Sequence, residues 1–91
     1  MKKFLIEVPH GEDKQSCSYA IKVFLQTGSH FLTNAEWGCM DGDHKAWILI
    51  ETDNKEEAMA IVPPVFRSTA KVVQLTQFSK DDILNPDKYH A

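Results

Sequence analysis

Cysteine is scarce in this 91-residue chain, with Cys17 and Cys39 as its whole complement. Two thiols cannot lace together a disulfide scaffold, and in the absence of an export signal they are expected to be reduced. Long apolar runs are also missing. The longest uninterrupted stretches, such as Ala46 to Ile50, fall far short of the roughly 18 residues that a membrane span requires, so no membrane partner is expected. Nor is there a surplus of positive charge: 10 Lys and Arg stand against 13 Asp and Glu, interspersed, for a net charge of −3. With no basic stripe to neutralise a phosphate backbone, nucleic acid is not an expected partner. No internal repeat, linker or low-complexity segment interrupts the chain, and no cofactor is expected. After Met1-Lys2-Lys3, the run Phe4-Leu5-Ile6 is broken by Glu7 before it reaches the length of a signal-peptide core. A cytoplasmic protein is the simpler reading.

What is present reads as a single α+β domain over residues 1–91, with a core over 3–78 and a short closing helix and tail over 79–91. Phe4, Ile6 and Val8 alternate with Leu5 and Glu7 in a first strand that Pro9 ends. Asp13 and Ser16 are rival caps for a helix whose Cys17, Ala20, Ile21, Phe24 and Leu25 form one apolar stripe, closed by Gly28. The runs Glu36 to Cys39 and Ala46 to Glu51 flank Asp41-Gly42-Asp43, a strong hairpin signal. Asp53 and Glu56 resemble a capping box for a second helix, which Pro63-Pro64 stops. A last strand is predicted over about 70–78.

The order strand, helix, strand, strand, helix, strand is that of the ferredoxin-like βαββαβ fold, a four-stranded antiparallel sheet with two helices on one face. Two helices cover only one side of such a sheet, so the other side must meet solvent, a ligand or a second subunit. If Phe4, Ile6, Val8, Ala46, Ile48 and Ile50 point toward the helices, Leu5, Glu7, Trp47, Leu49 and Glu51 point away. Bulky apolar groups on that open face mark an interaction site, and a homodimer formed sheet to sheet is the economical partner.

With this element order, and with Glu36-Trp37-Gly38-Cys39, Gly42-Asp43-His44, Val62-Pro63-Pro64 and Arg67, the chain resembles small bacterial proteins of the ferredoxin-like, dimeric α+β barrel type. The resemblance covers residues 3–78. It implies two sheets packed into a barrel, and it carries no single activity, because members of that wider group include cofactor-independent monooxygenases, lactone isomerases, haem-handling proteins and metal binders.

Candidate functional residues gather near the hairpin. Cys39 and His44 bracket the turn and could share a metal ion, completed by His10, His30, Asp41 or Asp43; otherwise Cys39 is a half-buried strand residue and His44 a solvated turn residue. Trp37 and Trp47 suit the lining of a ligand pocket, although interface cores use tryptophan as readily. Glu7 on a central strand and His10 just beyond it are the candidate catalytic acid or base pair. Arg67 can clamp a carboxylate or phosphate, or pair with Asp53 or Glu51. Together these point to a homodimer holding a small molecule or metal in a cavity on the open sheet face. The alternatives are a cofactor-independent isomerase or monooxygenase, and a structural or regulatory subunit.

Overall fold

The structure, a computed structural model, describes residues 1–88 and 90; the predicted tail over 79–91 therefore lies partly outside the described residues. Four strands, β1 (Lys2–Pro9), β2 (Glu36–Trp37), β3 (Lys45–Thr52) and β4 (Lys71–Leu75), form one sheet in the order β2-β3-β1-β4. Every pairing is antiparallel. Among the described residues three α-helices accompany it, α1 (Lys14–Gln26), α2 (His30–Thr33) and α3 (Lys55–Ile61). The two-helix expectation is corrected by α2, a single turn inside the connection from α1 to β2, too short to carry a periodic apolar stripe.

Strand parity divides the sheet faces. Phe4, Ile6 and Val8 of β1 and Ala46, Ile48 and Ile50 of β3 are buried in one cluster with Phe24 of α1, Leu32 of α2, and Ala58 and Val62 from α3 and its end. The register Phe4↔Ile50, Ile6↔Ile48 and Val8↔Ala46 places these side chains directly opposite one another, so each cross-strand pair contributes to the same core. On the other face Leu49 is 65% exposed.

Local chemistry fixes the element ends. Asp13 prevails over Ser16 as the cap of α1, its carboxylate accepting from the Ser16 backbone N–H at 3.0 Å. The cap of α3 lies one residue later than the Asp53 reading: Asn54 accepts from the Glu57 N–H at 2.8 Å, and the Glu57 carboxylate accepts from the Asp53 N–H at 3.2 Å. The strand expected over 36–39 is shorter. It ends at Trp37, and Cys39–Asp41 forms a 3₁₀ turn that Gly42 closes with φ of 84°, a left-handed conformation open to glycine at little cost. β4 likewise ends at Leu75, short of the predicted Phe78. Beyond it, Ser79 and Asp82 form a capping box for a 3₁₀ segment, Lys80–Leu84. Among the described residues, no helix is long and apolar enough to cross a membrane.

Candidate metal centre

The end of the β1–β3 ladder assembles a cluster of four side chains. The His10 backbone N–H donates to the His44 carbonyl at 3.1 Å, carrying the pairing one step past Pro9↔Lys45. His10 has the parity of Val8, and His44 that of Ala46. Both imidazoles therefore fall on the helix side of the sheet, with ring centroids 5.7 Å apart. Cys17, in the first turn of α1, belongs to the stripe that faces the same side.

The fourth member depends on the connection between β2 and β3. The Gly38 N–H donates to the Lys45 carbonyl at 3.1 Å, and the Gly38 carbonyl accepts from Asp41 and Asp43, each at 3.0 Å. This curls the chain tightly around position 38, where a Cβ would stand 2.6 Å from the Asp43 carbonyl oxygen and 2.7 Å from the Trp47 ring. Only glycine fits that approach. The turn then presents Cys39 toward His10, with Cys39 Sγ 3.2 Å from His10 Nε2.

One donor atom from each of His10, Cys17, Cys39 and His44 lies within 4.8 Å of all the others, and all four residues are half-buried. Tetrahedral zinc with two sulfur and two nitrogen ligands would need donor separations of about 3.3–3.8 Å, from bond lengths of about 2.3 and 2.0 Å. The 4.8 Å bound exceeds those separations by about 1–1.5 Å, which binding would have to take up by side-chain movement. Nδ1 of His10 and Nδ1 of His44 are buried and have no hydrogen-bond partner among the described residues. An orphaned buried polar atom costs about 1–3 kcal/mol, so two within one cluster of soft donors call for a physical reason. A cation on Nδ1 would be one, whereas a cation held through Nε2, the His10 nitrogen beside Cys39 Sγ, would leave Nδ1 to another partner.

Two of the four residues are shifted from their ordinary titration by burial and by their neighbours. Burial pushes the Cys39 thiol up to about 11, and its neighbour Cys17 adds to the shift. Burial, followed by the proximity of His44, holds His10 below the usual imidazole value. At neutral pH the Cys39 thiol is therefore protonated and His10 neutral, and the tautomer of the ring sets which of the two donates in the contact with Nε2. A metal would displace that thiol proton.

No protein-family model, curated protein or solved structure matches this chain.

Among the other sequence candidates Trp37 adjoins the cluster, its ring centroid 5.7 Å from that of His10, while Trp47, Glu7, Arg67 and His30 do not join it. Trp37 packs edge to face on Phe24, with ring centroids 4.9 Å apart, on the helix side. Trp47 sits across from Glu7 on the open face and donates its indole N–H to the Glu7 carboxylate at 3.2 Å. The two tryptophans thus lie on opposite sides of the sheet and line no common pocket. Glu7 and His10 are separated in the same way, with Lys45 Nζ 3.9 Å from the Glu7 carboxylate. The Arg67 guanidinium donates to the Val62 carbonyl at 2.8 Å and the Ala60 carbonyl at 3.0 Å, so it caps the end of α3. His30 bonds to Asn34 within its own turn, away from the cluster. Cys17 was not among the sequence candidates. Its inward place on the α1 stripe and the shared parity of His10 and Val8 were the signals that could have assembled the set.

Proposed function

We propose that this chain is a small metal-binding protein with a ferredoxin-like arrangement, whose ligands are His10, Cys17, Cys39 and His44. The observation that carries this reading is the convergence of two sulfur and two imidazole donors within 4.8 Å, drawn from four separate places in the sequence. Two thiolates and two imidazoles are a donor set that favours Zn(II) over hard cations such as Mg(II) or Ca(II), which take oxygen ligands. Four protein ligands leave no coordination position open for substrate, so the ion acts as a cross-link or a cargo. A domain of this size has a modest core and gains from such a staple. The site lies between α1 and the end of the sheet, which differs from the open-face cavity expected from sequence.

Titration of the reduced protein with Co(II) tests the reading. One equivalent should bind with the intense thiolate-to-cobalt charge transfer and tetrahedral d–d bands of an S2N2 site, and Zn(II) should displace it. A spectrum typical of octahedral cobalt, or no saturable binding, would refute it.

The open face supports a second element of the reading, a homodimer formed sheet to sheet as in dimeric α+β barrels. Leu49 at 65% exposure, beside Leu5, Val73 and Leu75, supplies the apolar surface. Sedimentation at micromolar concentration should give twice the chain mass, and Leu49→Asp should return it to the monomer. A wild-type monomer under those conditions would remove this element and leave the metal site untouched.

A further inference from the structure

We infer that Cys17 and Cys39 form a redox pair, whose closure to an intrachain disulfide in response to a peroxide dismantles the metal site. The inference deepens the metal reading by assigning its regulation, although the sulfur pair rests on its own geometry.

Three observations carry it. The two sulfurs belong to the set of donor atoms that all lie within 4.8 Å of one another, so closure to about 2.05 Å requires a movement that side-chain rotation and a small backbone shift provide. Both cysteines sit near the ends of short or terminal elements and not in the middle of the sheet: Cys17 in the first turn of α1, and Cys39 on a three-residue 3₁₀ turn that follows Gly38 and precedes Gly42. A surface cavity of about 460 Å³ is lined by Cys17 and Cys39 together with Glu12, Lys14, Met40 and His44. Both thiols are thus reachable by a small oxidant, which the core residues beneath them are not.

The chemistry balances with hydrogen peroxide as the oxidant. The Cys17 sulfur, as thiolate, attacks one peroxide oxygen; the O–O bond breaks, giving a sulfenic acid and a hydroxide that takes up the proton lost from the thiol. Cys39 then attacks the Cys17 sulfur. His10 Nε2, 3.2 Å from Cys39 Sγ, receives the Cys39 proton, and the sulfenic oxygen leaves as hydroxide, which recovers that proton as water. Two thiols and one peroxide become one disulfide and two waters; each sulfur is oxidised by one electron and each peroxide oxygen reduced by one. In the metal-bound form two solvent protons replace the thiol protons, and the metal leaves as the free dication. The thiolate ligands are consumed by the bond, so metal and disulfide exclude each other.

The test uses the full chain. Reduced metal-free protein is exposed to hydrogen peroxide, then analysed by intact mass and peptide mapping, and its Zn(II) affinity is compared before and after. The expected product has lost two hydrogens, carries a Cys17–Cys39 linkage within one chain, and binds Zn(II) at least about 100-fold more weakly, beyond the 10–100-fold typical of losing a supporting partner. Treatment with dithiothreitol restores binding. In the zinc-loaded protein, ion release reported by a chromophoric chelator should match disulfide formed one to one. Disulfides only between chains, sulfinic acids in place of a disulfide, or undiminished zinc affinity after closure would overturn the inference. If the reduced protein binds no Zn(II) at all, the metal reading fails, and the mapping alone decides whether the thiols pair. Cys17→Ser should abolish the intrachain product while circular dichroism reports a retained fold.

Discussion

His10 and His44 face each other across the last rung of the β1–β3 ladder, one backbone donating to the other at 3.1 Å and the rings standing at 89°. Neither residue is near the other in sequence. Antiparallel register alone brings them together, and parity turns both rings inward beneath α1.

Loss of any one ligand should therefore disable the centre. Cys39→Ser and His44→Ala are each expected to lower Zn(II) affinity by more than about 100-fold, since they remove a direct ligand and not an outer-shell partner. His30→Ala, on the exposed α2 turn, should leave affinity unchanged. Competition titration against a chromophoric chelator measures all three.

The metal-free protein should lose stability as acid is added. The imidazole of His10 is held below its ordinary value of 6.5 by burial and by His44, so on acidification the unfolded chain takes up a proton before the folded one does. Its contribution is fully present above 6.5 and declines as the pH falls through the lowered folded value. Cys39 acts at the other end: its thiol, raised from 9.0 to about 11, contributes stability below 9.0 that is lost as the pH climbs toward 11. Urea denaturation across a pH series should show both declines, with His10→Gln flattening the acid limb and Cys39→Ser the alkaline one.

Gly38→Ala should strain the connection that holds Cys39. A methyl group there meets the Asp43 carbonyl at 2.6 Å and the Trp47 ring at 2.7 Å, and relieving the clash means opening the turn. The expected cost is about 1–3 kcal/mol, as for other overpacked sites. Zinc affinity should fall with it, because the 3₁₀ turn carries a ligand. Denaturant midpoints and metal titration read the two effects separately.

Arg67→Ala should destabilise the fold without altering metal binding. It removes two charge-assisted hydrogen bonds to the last carbonyls of α3, for which a cost of about 1–3 kcal/mol is expected. Lysine should recover only part, since one ammonium cannot reproduce the planar fork that reaches Val62 and Ala60 together. Thermal melts of the two variants, with zinc titrations beside them, provide the check.

Much of the scaffold was legible in the chain. The alternation of Phe4, Ile6 and Val8, the stripe from Cys17 to Phe24, and the Asp-Gly turn each announced a local structure, because period and turn chemistry act over a few residues. The ends of elements were less so. Cys39 had strand-like neighbours, yet the close contact of Gly38 with Asp43 and Trp47 bends the chain into a 3₁₀ turn. Arg67 invited an anionic partner, but the unpaired carbonyls at the end of α3 lie nearer.

By itself, the sequence determined the strands, the principal helices and the side of the sheet on which the core forms, since burial follows local periodicity. Only tertiary structure decided that His10, Cys17, Cys39 and His44 meet. Their spacing along the chain has no metal-binding signature, and it is strand register, the packing of α1 and the curled β2–β3 connection acting together that bring their donor atoms within 4.8 Å.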